Sequence, residues 1–254
     1  MGGAETREVF AVILDLGATL LRSGAEVYRV EDTLTRLIQA YGGTESNVFA
    51  IPTHIVVTAK FNGTELSSAR RVPAPGMNLE VVDRVNALAR HACKEKPGAK
   101  EFRERLKEAE AFKGYNAIQR ILIFALIGGS FTLLFGGSFE DAAVSSIIGI
   151  ILFFVMAFSR GVSRNTLFTN AFCAAIAAFL AVIAVRNGMG HDADKIIIGN
   201  IMLLIPGVEL VNGMRDFIAS DIQAGIMHIT EALFLAIGIA VGAAGMLTLL
   251  GGVA

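Results

Sequence analysis

A sharp change in charge density near residue 120 constrains this chain more than any other feature. Residues 1–120 hold 17 of its 22 Lys and Arg residues and 15 of its 23 Asp and Glu residues. The remainder carries only Arg160, Arg164, Arg186, Lys195 and Arg215 as cations. Its carboxylates are Glu140, Asp141, Asp192, Asp194, Glu209, Asp216, Asp221 and Glu231. Most of these ions lie between long apolar runs. With 54% of all residues hydrophobic, a soluble core could not hide the apolar surface, whereas a bilayer can. The pattern predicts a mixed architecture: a small α+β domain over residues 1–115, then an all-α membrane domain over 116–254.

Within the first 115 residues, Val9, Ile13, Leu16 and Leu20 recur at helical spacing. Ser23-Gly24-Ala25-Glu26 fits a capping box for a second helix, whose buried stripe is Val27, Val30, Leu34, Leu37, Ile38 and Tyr41. Gly42-Gly43 ends that helix. Residues 47–60 read as a strand with Pro52 at an edge or bulge. Asn62-Gly63 suits a type I′ turn, and Glu65–Val72 returns as the second strand. After the break at Pro73-Ala74-Pro75-Gly76, Asn78 caps a further helix. A charged helix over about 99–114 then leads directly into the membrane.

Five apolar runs follow, at about 117–136, 142–159, 166–185, 196–213 and 224–250. Each is near the ~20 residues that cross ~30 Å of hydrocarbon as a helix. Lys107, Lys113 and Arg120 before the first run place the N-terminal domain in the cytoplasm. Arg160 and Arg164 in one loop, and Arg215 in another, agree with that orientation, while Arg186 and Lys195 oppose it. An odd number of spans puts the C-terminus outside. No cationic, apolar leader opens the chain, so no cleaved signal peptide is expected.

The fourth run is the unusual one. Pro206-Gly207 either breaks the helix at membrane depth or kinks it near its end. A break frees backbone polar groups that only protein or a water-filled cavity can satisfy, an arrangement recurrent in transporters. Glu209 and Asn212 share a face just past it, and Arg215-Asp216 continue that face. Glu231, with His228 one turn before it, is either an intramembrane proton or substrate contact or an interfacial residue ahead of a later-starting span. Gly238 and Gly242 form a small-residue step suited to close helix packing.

Other chemistries find no support. A net charge of −1 offers no basic field for nucleic acid, and Glu101, Glu104, Glu108 and Glu110 interleave the cations of Lys94–Lys113, giving a solvated helix face. The four histidines are scattered without ligand spacing, so no metal and no cofactor is expected. Cys93 and Cys173 suggest no disulfide. No GxSxG, HExxH, P-loop or GxGxxG sequence occurs, so the chain is not expected to be an enzyme.

Ser23-Gly24-Ala25-Glu26, Arg29-Val30-Glu31-Asp32, Arg36 and Tyr41-Gly42 together resemble the N-terminal signature of the threonine/serine exporter family. Pro52-Thr53, Thr58 and Arg70-Arg71-Val72 continue the similarity. Pro206-Gly207, Asn212, Arg215-Asp216, Asp221 and Gly225 resemble that family's membrane motif. The resemblance implies a secondary transporter of the cytoplasmic (inner) membrane that exports small polar metabolites, using ion gradients. Its substrate would be a serine/threonine-type amino acid or a dicarboxylate. The chain lacks the second membrane half of fused members, so the resemblance implies a split form with a separate small membrane subunit, a homo-oligomer, or both. Arg215 would meet a carboxylate, Asn212 would complete a polar pocket, and Glu209, Asp216 or Glu231 would carry a proton. Ser23, Gly24, Glu26, Arg29, Glu31, Thr53 and Arg70 would form a cytoplasmic motif, as helix caps and ion pairs or as a gate. A non-transporting membrane subunit and a membrane-anchored hydrolase are the competing readings.

Overall fold

A computed structural model describes residues 2–73, 76–112, 114–162 and 165–251. Ala74 and Pro75 of the expected break, Lys113 and Arg164 lie outside the described residues, as does the side chain of Arg160. The chain forms two compact units, Met1–Gly114 with Leu210–Ile229, and Tyr115–Glu209 with Thr230–Ala254.

The first unit begins with α1 (Gly3–Arg22) and α2 (Val27–Ala40), followed by β1 (Gly43–Ile51), β2 (His54–Phe61) and β3 (Thr64–Arg71). The strands make an antiparallel sheet in the order β1-β2-β3. The stretch 47–60 is therefore two strands and not one: Pro52, with no N–H for a ladder, sits with Thr53 in the tight turn between them. At the second turn Asn62 (φ +50°) and Gly63 (φ +79°) are both left-handed, as a type I′ turn requires. Alternate residues of β2, Ile55, Val57, Ala59 and Phe61, are buried. They share one core with Leu16, Leu20, Leu34, Leu37 and Ile38 of the first two helices, with Val85 of α3 (Leu79–Glu95) and with Phe102 of α4 (Ala99–Glu110). The Asn78 side chain caps α3 by accepting from the Val81 N–H at 3.3 Å. Each fully buried aliphatic side chain contributes about 1.5–3 kcal/mol, enough for such a core to set the fold.

α4 stops at Glu110 and does not run on into the apolar part. A new helix, α5 (Ala117–Leu134), starts with its own capping box, in which Asn116 and Gln119 exchange side-chain and backbone bonds at 2.8 and 3.0 Å. With α6 (Phe139–Val162), α7 (Thr166–Arg186), α8 (Ala193–Ile201) and most of α10 (Ile222–Leu249) it builds the second unit. Here the core is small: Ala174, Ala177, Ala178 and Ala181 of α7 are completely buried. A side chain on Gly242 would collide with the Ala171 carbonyl, and one on Gly238 would meet Leu167, so the Gly238/Gly242 step seats α10 against α7. A Cβ on Gly149 would lie 2.5 Å from the Phe124 carbonyl oxygen. Large apolar residues such as Leu126, Phe139 and Phe158 are exposed.

Among the described residues, the helices long and apolar enough to span a membrane are four, not the five expected: Ala117–Leu134, Phe139–Ser159, Thr166–Arg186 and Ile222–Leu249. The run 196–213 is not a continuous helix. α8 ends at Ile201, residues 202–206 form turns, and α9 (Gly207–Ile218) starts afresh after Pro206. The five-span count and the outward C-terminus derived from it lose their premise.

Candidate functional site

α1 ends in a Schellman motif. Gly24, at φ +90°, donates its N–H to Leu21 O, and Ala25 donates to Leu20 O, both at 3.1 Å. Ser23 and Gly24 therefore close α1, and the expected capping box for α2 does not form. Glu26 is the N-cap residue of α2 by backbone position, but its side chain makes no capping bond. Its carboxylate, in a residue only 7% exposed, faces two guanidinium groups instead. Arg215 Nη1 lies at 2.5 Å and Arg29 Nη1 at 3.6 Å. Both arginine side chains are more than half exposed, at 55% and 59%, so each keeps donors free.

Arg215 belongs to a helical hairpin made of α9 and the first turns of α10. A second Schellman motif joins them: Ser220, at φ +68°, donates to Phe217 O at 3.0 Å, and Asp221 donates to Asp216 O at 2.9 Å. The Asp221 carboxylate then caps α10 through the Ala224 N–H at 3.2 Å. Gly213 and Gly225 allow the two helices to touch, since side chains there would meet Ile229 and the Phe217 ring.

Three bonds follow from this hairpin. Asn212 Nδ2 donates to the Gly24 carbonyl at 3.1 Å. Arg215 holds Glu26. Asp216, completely buried, places Oδ2 at 2.9 Å from His228 Nδ1. Its Oδ1 has no hydrogen-bond partner among the described residues. The buried carboxylate thus has an imidazole on one oxygen and no partner among the described residues on the other. Glu31 stands on the same side, accepting from the Ala50 N–H at 2.7 Å. Burial pushes its carboxyl above the ordinary value despite that bond, and the charges of Asp221 and Asp216 add to the rise.

The remaining expected site residues form no ion pair or hydrogen bond with this cluster among the described residues. Thr53 sits in the β1–β2 turn, 3.1 Å from His54 Nδ1. Arg70 pairs with Asp15 at 2.8 Å. Pro206 and Gly207 mark the helix break. The carbonyl of Leu204 within it, freed by the break, accepts from the buried Asn170 Nδ2 at 3.3 Å. Glu209 is half-buried, Glu231 is exposed, and neither forms an ion pair among the described residues.

The sequence set His228 one turn before Glu231 without giving it a partner; in the structure it contacts Asp216 across the hairpin turn. The signal available was Gly213 with Gly225, two small residues flanking a capping Asp221. A polar cluster in the second unit was also missed. Thr132 and Ser145 both donate to the Gly128 carbonyl, at 2.8 and 2.9 Å, and Asn200 Nδ2 donates to Ser145 Oγ at 2.7 Å.

A family model described as "Putative threonine/serine exporter" matches residues 11–250. A protein named probable succinate transporter subunit YjjP from Klebsiella aerogenes is 23% identical over 98% of this chain and 96% of its own length. The protein of the same name from Escherichia coli K12 is 23% identical over 97% of this chain and 96% of its own length. A probable threonine/serine exporter of Mycobacterium tuberculosis is 25% identical over 93% of this chain but only 45% of its own length. No solved structure matches significantly.

Proposed function

This chain belongs to the threonine/serine exporter family, a family of multi-pass membrane transporters, and we propose that it is the larger subunit of a two-component exporter of small carboxylate-bearing metabolites. The observation that carries the reading is the Glu26–Arg215 pair, flanked by Arg29 and backed by Asn212 and the Asp216–His228 couple. A bound carboxylate competes with Glu26 for the guanidinium of Arg215, since Arg binds carboxylates through paired hydrogen bonds. The internal ion pair holds the site shut, and substrate opens it. A proton shared by Asp216 and His228 links the exchange to an ion gradient.

Dicarboxylates are the first substrate class. Two half-exposed arginines flank one carboxylate, and the relatives matched end to end are named succinate transporter subunits. Those names also support a separate small membrane subunit as partner. The acidic residues Glu31, Asp216 and Asp221 around the same site favour a second reading, an amino acid whose ammonium they attract. The cations Lys107 ahead of α5 and Arg120 in its first turn support an inner-membrane protein whose N-terminal domain lies in the cytoplasm.

Cells preloaded with labelled succinate, serine and threonine test this, with the chain expressed alone and beside a candidate small subunit. Succinate efflux that needs both proteins, and that falls about tenfold or more in Arg215→Ala at wild-type abundance, is the expected result. Full efflux from Arg215→Ala would refute the carboxylate role. Serine or threonine efflux in place of succinate would select the second substrate.

A further inference from the structure

Arg70-Arg71-Val72, part of the sequence signature, has no role in the site above. It lines a separate cavity of about 330 Å³ in the first unit, between the N-terminal half of the fold and α4. Five cations line it: Arg22, Arg70, Arg71, Arg103 and Lys107. Only two carboxylates face them, giving a local excess of three positive charges in a chain whose net charge is −1.

The two carboxylates are already committed. Glu110 accepts from Thr19 Oγ1 and pairs with Arg22 at 3.1 Å. Asp15 pairs with Arg70 at 2.8 Å, and Arg70 also donates to Ser68 Oγ at 3.2 Å. These contacts fix Arg22 and Arg70 in place. Arg71, Arg103 and Lys107 have no ion pair among the described residues. Three unpaired cations around one cavity, beside two guanidinium groups already held by carboxylates, make it electrostatically suited to a multiply charged anion.

We infer that this cavity binds a phosphate group. Guanidinium forks match phosphoryl oxygens two at a time, and a dianionic phosphoryl offsets more of the excess charge than one carboxylate does. The group comes either from a soluble phosphate or from the headgroup of an anionic lipid. The second source has support in the chain itself: only six residues separate Glu110, at the end of α4, from Ala117, where the first membrane helix starts. The inference is independent of the transported substrate.

The test uses the full-length protein in nanodiscs of phosphatidylcholine alone. Thermal stability is measured with added pyrophosphate and, separately, after replacing part of the lipid by phosphatidylglycerol. Sodium chloride at matched ionic strength and succinate are the controls. Arg71→Ser with Arg103→Ser removes two exposed, unpaired cations, so the fold is retained. Lys107→Gln is a second, milder variant, and Arg90→Ser removes a cation that does not line the cavity.

A stabilising shift from pyrophosphate assigns a soluble phosphate, and one from phosphatidylglycerol assigns a lipid headgroup. In either case the double variant weakens the effect about tenfold or more, Lys107→Gln weakens it less, and Arg90→Ser leaves it intact. Three results would overturn the inference: no shift from either source, an equal shift from sodium chloride or succinate, or a shift that survives in the double variant.

Discussion

The two units bury their chains with opposite materials. The first fills its core with Leu16, Leu34, Ile55 and Phe102, where removal of large apolar groups from water supplies the driving force. The second buries Ala174, Ala177, Ala178 and Ala181 and leaves Leu126 and Phe158 outside. Lipid is as apolar as leucine, so large side chains gain little by leaving it, and helices associate where small residues let backbones touch. The polar contacts named above differ too. The first unit pairs side chain with side chain, Arg215 with Glu26 and Asp216 with His228. The second gives Thr132 and Ser145 a backbone carbonyl. The Glu26–Arg215 and Asp216–His228 contacts thus belong to the unit with the water-soluble kind of core.

The largest effect should come from the first core. Phe102→Ala should cost about 3–5 kcal/mol, read as lost protease resistance of the first unit in the purified protein. Leu126→Ala, which truncates an exposed side chain of the second unit, should cost little. Equal losses would break the comparison. The second unit should instead be sensitive to added volume. Gly242→Val drives a side chain into the Ala171 carbonyl and should lower stability by about 1–3 kcal/mol on detergent melting. Gly245→Ala, with open space around it, should be neutral.

Asp216→Asn keeps the shape of the buried side chain and removes its proton chemistry. Efflux driven by a pH gradient should fall about tenfold while protein abundance holds. Unchanged coupling would leave the Asp216–His228 contact a purely structural one.

The smallest effect is a slope. Glu31 is raised above 4.5, chiefly by burial, so the folded protein holds that proton more tightly than the unfolded chain does. Its contribution is fully present below pH 4.5 and is lost as pH rises through the raised value. The melting temperature should decline across that window. Glu31→Gln, whose amide oxygen can still accept from Ala50, should flatten the decline. Parallel slopes in the two proteins would contradict the assignment.

Local rules were legible in the sequence where one or two residues decide the geometry. Asn62-Gly63 set the hairpin turn and Asn78 capped α3, because both act on their own backbone. Gly238 and Gly242 announced a close helix approach. Ser23–Glu26 misled because the same four residues satisfy two rules, and Gly24 at positive φ gave the segment to the end of α1. Hydropathy counted 196–213 as a span because it sums side chains and cannot weigh the missing N–H of Pro206 against a continuous helix. Arg215 and Asp216 were readable as candidates, but their partners were not. Glu26 is 189 residues from Arg215, and a contact at that separation is fixed by tertiary packing alone.

The most direct measurement is succinate efflux from a charge-swapped protein, Glu26→Arg with Arg215→Glu, co-expressed with a candidate small membrane subunit and compared at wild-type abundance in the membrane. The swap keeps opposite charges at the two positions but turns the Arg215 guanidinium into a carboxylate. If Arg215 receives the substrate carboxylate, the swapped protein reaches the membrane and does not export. Efflux at the wild-type rate would show that the pair is only a clasp between α2 and α9, and would contradict the account.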